Sequence, residues 1–178
     1  MQNKWLPWII FITLSIIWGS SFILMKKGLI AFSPEQVAAL RLSIAFACMI
    51  PWGWKYLRKL PKKDLLPIAA VGWFGNGFPA FLFTFAETEV SSSIVGILNA
   101  TVPLFTLIIG MVFFGIKQKK NQGLGVLLGL AGALWLIFPE GIQTDGPVNI
   151  PYASLVLIAT CCYAISANTI KQYLQHLP

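Results

Sequence analysis

Apolar residues in this chain fall into six blocks, about 6–25, 34–52, 65–85, 94–116, 122–138 and 150–170, separated by charged or turn-forming links. Each block is about 16 to 23 residues long, and a helix crossing a bilayer needs roughly 20. The pattern therefore predicts six membrane-spanning helices rather than one water-soluble core. The first block is too long for a signal-peptide core and lacks a small-residue cleavage site. It is expected to remain as a helix, with Trp5 and Trp8 in the interfacial belt.

The polar positions between and within the blocks give the helices their ends and their irregularities. Ser33-Pro34-Glu35-Gln36 puts serine at the N-cap, proline at the first helical position and glutamine where it closes a capping box. Ser91, Ser92 or Ser93 caps the fourth helix. The third block is interrupted by Gly72, Gly75, Asn76, Gly77 and Pro79. The fourth sets Asn99, Pro103, Thr106 and Gly110 at spacings of 4, 3 and 4, on one helical face. Breakers survive in a bilayer only where neighbouring helices or a cavity satisfy the freed backbone. In the fifth block, Gly125, Gly129 and Ala133 form a small-residue ridge that invites close approach by another helix.

Composition agrees with the pattern: 57% of residues are apolar and 11% charged, and the mean hydropathy is +0.75. The net charge of +7 changes the picture only through its distribution. Nucleic-acid binding would require cations interleaved with aromatics on one soluble face, whereas these lie between hydrophobic spans. With a cytoplasmic amino terminus, the inner side collects ten cations: Lys4, Lys55, Arg58, Lys59, Lys62, Lys63, Lys117, Lys119, Lys120 and Lys171. Only Asp64 opposes them. The outer side holds Lys26 and Lys27 against Glu35, Glu87, Glu89, Glu140 and Asp145. The positive-inside rule then places the amino terminus in the cytoplasm.

Cys48, Cys161 and Cys162 lie inside apolar runs without zinc-type spacing and read as packing residues. No metalloprotease, phosphate-loop or nucleophile-elbow motif occurs, and the single histidine, His176, lies in the tail. Neither catalysis nor a cofactor or metal is expected. Every Asp and Glu is placed near an interface, which leaves no acid at membrane depth for proton relay.

Two stretches, Trp18–Lys27 (WGSSFILMKK) and Tyr163–Lys171 (YAISANTIK), share an aromatic followed by a small residue, a serine three positions on and a lysine eight positions on. The second reads as the start of a second copy of the first. With five helices per copy, an odd number, the second copy enters the membrane inverted.

The first-helix W-G-S-S-F and lysine, Arg41 in LRLSIAFA, N-A-T-V-P-L-F in helix four, and Gln122, Gly125, Gly129 and Gly132 after a basic turn together resemble the EamA-like branch of the drug/metabolite transporter superfamily. The resemblance implies an all-α polytopic membrane bundle, with 1–140 as a first five-helix repeat and 150–178 as the first helix of an inverted second. Ten helices would complete the family pattern, so the chain reads as a fragment whose sixth helix lacks its repeat partners, supplied by a missing second half or by a second copy. It also departs from the family in having Ile116 where a glutamate often follows the glycine ending helix four.

The function so implied is secondary transport of a small metabolite, an amino acid or related compound moved outward across the inner membrane by alternating access. An integral membrane enzyme acting on lipid-linked substrates and a non-transporting assembly protein are the alternatives. Arg41 admits two readings: a cation facing a cavity, or a snorkelling or structural arginine. Its helical neighbours Ala38, Ala45 and Cys48 would face inward. Asn76 with Pro79, and Asn99 with Pro103 and Thr106, pair a polar group with a breaker, as substrate-lining broken helices do, or merely join helices. Trp18, Ser21 and Tyr163 complete the candidate substrate site, and Lys26 and Lys171 read as interfacial snorkels.

Overall fold

The computed structural model describes residues 5–57, 60–117, 120–135 and 149–177, and among them no strand occurs. Lys4, Arg58, Lys59, Lys119, residues 136–138 and the acidic link with Glu140, Gly141, Asp145, Gly146 and Pro147 lie outside the described residues. The rest forms six helical rods. α1 (Leu6–Gly28) and α2 (Pro34–Leu57) are continuous. The third rod comprises a 3-10 turn at Lys62–Asp64, α3 (Leu65–Gly72), a π-helical segment at Trp73–Gly77 and α4 (Phe78–Glu89). The fourth divides into α5 (Ser92–Asn99) and α6 (Val102–Phe114). The fifth is α7 (Lys120–Trp135), and the sixth is α8 (Ile150–Thr169) with a π turn at Ile170–Leu174. Five rods are long and apolar enough to cross a membrane, and α7 has 16 described residues.

Local chemistry accounts for the ends and breaks. The capping box forms: Gln36 N–H donates to Ser33 Oγ at 3.4 Å, and Ser33 N–H donates to Gln36 Oε1 at 3.0 Å. Ser91 is the serine that caps α5, accepting from Ile94 N–H at 3.5 Å. Pro79 and Pro103 carry no N–H, so each removes one helical bond from the turn before it. In the third rod, rich in glycine, that turn widens to π. In the fourth it becomes the Ala100–Thr101 turn, where the Thr101 hydroxyl donates to the Leu98 carbonyl at 2.6 Å.

The sixth rod lies at the centre. A third of its most apolar window (33%) is buried, against 6–11% in the other four candidate spans. Its partners are the helices of the preceding five-helix set: α3, α4, α5 and α6 all pack on it. Two glycines make that possible. A Cβ on Gly110 would lie 2.6 Å from Asn168 Oδ1, and one on Gly75 would lie 2.5 Å from Ser166 Oγ. Helices in lipid associate through such close packing and through hydrogen bonds rather than by escaping water. Asn168 Nδ2 accordingly donates to the carbonyls of Thr106 and Ala164, both at 2.9 Å.

Other expected packing faces are not used. Of Arg41's neighbours, Ala38 is buried, but Ala45 and Cys48 are exposed: the buried side chains of α2, Val37 and Ala38, lie near its start. On the α7 ridge, Gly125 and Gly129 are exposed, with nothing within 4 Å of an added Cβ, although α6 packs elsewhere on α7. The large apolar side chains left outside, Trp5, Trp8 and Trp18 among them, suit a lipid surround.

At the end of the bundle where α2 leads into α3, His176 Nε2 meets Asp64 Oδ2 at 2.9 Å. Asp64 is buried and His176 about half exposed, so the pair ties the tail after α8 to the start of the third rod. His176→Ala leaves a buried carboxylate without this partner. We expect it to lower stability by about 1–3 kcal/mol, read as a lower melting temperature of the detergent-solubilised protein, whereas His176→Gln should retain part of it.

Candidate functional site

At the opposite end, where α1 leads into α2, three charged groups come together. Glu87, in the last turn of α4, has no exposed surface, and neither carboxylate oxygen has a hydrogen-bond partner among the described residues. Lys26 on α1 donates its ammonium to the backbone carbonyl of Glu87, not to its carboxylate. Arg41 on α2 directs one nitrogen at Met25 Sδ, 2.7 Å away, and another at the Ser21 hydroxyl, 3.4 Å away. The charges of both Lys26 and Arg41 reach the Glu87 carboxyl, and that of Arg41 also reaches Tyr163 on α8. Ser92, at the start of α5, lies beside the carboxyl, while its hydroxyl donates to the Phe22 carbonyl at 3.4 Å.

Aromatic rings pack next to this cluster. Phe83, one turn before Glu87 on α4, stacks on Tyr163 with centroids 5.8 Å apart and planes at 28°. Its other neighbour is Phe22, at 5.7 Å. The helical period explains the arrangement, since Ala80, Phe83 and Glu87 share the buried face of α4.

Glu87 was expected in the link between helices three and four. The structure places it instead in the last turn of a helix: α4 continues to Glu89, and Val90 alone separates it from the Ser91 cap. The signal was present in the tight spacing to that cap and in the 3- and 4-residue rhythm through Ala80, Phe83 and Glu87, but two acids at a run's end look like a loop. Asn168 was also missed; nothing in an apolar run announces which polar residue faces a neighbour.

The nine residues named from the sequence do not converge on one pocket. Ser21, Arg41 and Tyr163 surround the Glu87 cluster. Asn99 lies at the break in the fourth rod, its Oδ1 buried and unpartnered among the described residues. Pro79 is buried just after the π segment that holds the exposed Asn76. Thr106 turns its hydroxyl back to the Val102 carbonyl at 2.8 Å and offers its own carbonyl to Asn168. Pro103 is exposed, and Trp18 is 66% exposed, unlike its counterpart Tyr163. A groove of ≈ 440 Å³ between α1 and α5, lined by Gly19, Phe22, Ser92 and Gly96 among others, contains none of the nine.

A polytopic helical membrane protein with two interrupted spans and a carboxylate enclosed between helices is the class this architecture defines. The chain belongs to the EamA-like transporter family, whose model matches residues 5–138. It is 36% identical over 160 residues to the inner membrane transporter YedA of Escherichia coli, covering 86% of this chain and 49% of that protein. It is 27% identical over 159 residues to the transporter YdfC of Bacillus subtilis, covering 88% and 52%. A probable amino-acid metabolite efflux pump of Salmonella typhimurium is 26% identical over 164 residues, covering 92% and 52%. The chain thus spans about half the length of the curated relatives it matches. No solved structure matches it.

Proposed function

We propose that this protein works as a secondary transporter of the inner membrane, exporting a small metabolite, an amino acid or related compound, by alternating access. The observation that carries this reading is the interruption of two neighbouring rods, at Trp73–Gly77 and at Ala100–Thr101, both flanking α8. Interrupted spans free backbone groups and provide hinges at membrane depth, as carriers use them. Family membership and the name of the Salmonella relative support the substrate class. Residues 1–140 act as the first repeat and 150–178 as the first helix of an inverted second. Efflux of a panel of amino acids and related metabolites from cells carrying the complete gene tests the reading: unchanged flux for every compound would overturn it.

The charge distribution supports a cytoplasmic amino terminus. A reporter active only outside the cytoplasm should accordingly work when inserted at Ala31–Phe32 and fail at Leu60–Pro61. The reverse pattern would invert the assignment.

A further inference from the structure

We propose that Glu87 and Arg41 are the two poles of a subsite for the zwitterionic head of an α-amino acid, Glu87 taking the ammonium and Arg41 the carboxylate. Phe83 and Tyr163 provide the wall for an apolar side chain. The proposal rests on the carrier reading and deepens it. Its basis is an unfulfilled bonding capacity. An ionised carboxyl accepts at about four lone-pair positions and a guanidinium donates through five N–H groups, yet among the described residues the buried Glu87 carboxyl has beside it only the Ser92 hydroxyl, which is turned to the Phe22 carbonyl, and Arg41, itself exposed, reaches only a thioether and a distant hydroxyl.

Charged groups enclosed in a membrane bundle are costly and are retained where a partner or a function requires them. Here the available cations are committed elsewhere, Lys26 to a backbone carbonyl and Arg41 to Met25 and Ser21. A ligand bearing one positive and one negative group beside an apolar side chain supplies both missing partners. Because Glu87 is fully enclosed, the head group enters only when α1 and α2 move relative to α4. Alternating access provides that movement.

The test uses the full chain in detergent and three probes of similar shape: L-leucine, isopentylamine without the carboxylate, and isocaproate without the ammonium. The wild-type protein should bind leucine at least about 10-fold tighter than either analogue, the range set by charge-assisted hydrogen bonds. Glu87→Gln should weaken leucine and isopentylamine about 10-fold while changing isocaproate less than about 3-fold. Equal binding of leucine and isocaproate by the wild type overturns the proposal. So does a Glu87→Gln variant that weakens all three alike, which is what a structural role gives. If that variant fails to insert, the wild-type series alone decides. Leucine flux in proteoliposomes is recorded separately: selective binding without flux overturns the carrier reading and leaves the subsite standing.

Discussion

Gly110→Val is expected to separate α6 from α8 and to produce the largest loss of stability from any single substitution considered. The Cβ alone would sit 2.6 Å from Asn168 Oδ1, and the amide carbon is only 3.2 Å away. Asn168 is 1% exposed and anchored by two donated bonds, so it has no open space to retreat into. Forcing extra carbons into such a contact costs about 1–3 kcal/mol. Dislodging the amide from the Thr106 carbonyl leaves a buried polar group unpaired, at about 1–3 kcal/mol more. Together these cost about 2–6 kcal/mol, so the melting temperature of the solubilised protein should fall by roughly 4–24 °C, taking 1 kcal/mol as about 2–4 °C for a chain of this size. Gly129→Val is the matched control, because nothing lies within 4 Å of its added Cβ. An unchanged melt for Gly110→Val would mean that the two helices are not in contact.

Arg41→Ala is expected to act in the opposite way, leaving the bundle intact and removing most of the transport. The arginine is exposed, and its contacts are a sulfur and a hydroxyl at 3.4 Å, so little packing is lost with it. Surface-type substitutions of this kind change stability by about 0.5 kcal/mol. Losing the guanidinium that orients a carboxylate should lower transport about 10-fold or more. Arg41→Lys keeps the charge without the planar fork, so intermediate flux is expected. Insertion and melting measured beside efflux separate the two effects: full efflux by Arg41→Ala would make the arginine a structural residue.

The two substitutions show where the sequence was readable. Breakers and caps were legible because their physics is local. A proline without its N–H disturbs its own helix wherever it is placed, and Ser33 with Gln36 closes the same box in any context. Arg41 was conspicuous because a charge in an apolar run has few explanations. Glu87 was hidden by its position: at the end of a run, a carboxylate looks identical whether the helix stops before it or carries it inward. Gly110 was visible only as a small residue on a face, and the sequence did not say that Asn168 would be the side chain resting on it.

The sequence by itself determined six apolar rods in an all-helical membrane bundle, the positions of their caps and breaks, and a charge asymmetry along the links. These follow from residue-by-residue transfer energies and backbone chemistry, which need no knowledge of neighbours. Only the tertiary structure decided that α8 occupies the centre, that Gly75 and Gly110 admit Ser166 and Asn168 beside it, and that Glu87 is enclosed near Lys26 and Arg41 without pairing to either. Those outcomes depend on which helix faces meet, and in lipid that choice is made by close packing and hydrogen bonding between rods rather than by hydrophobicity, which is nearly the same on every face.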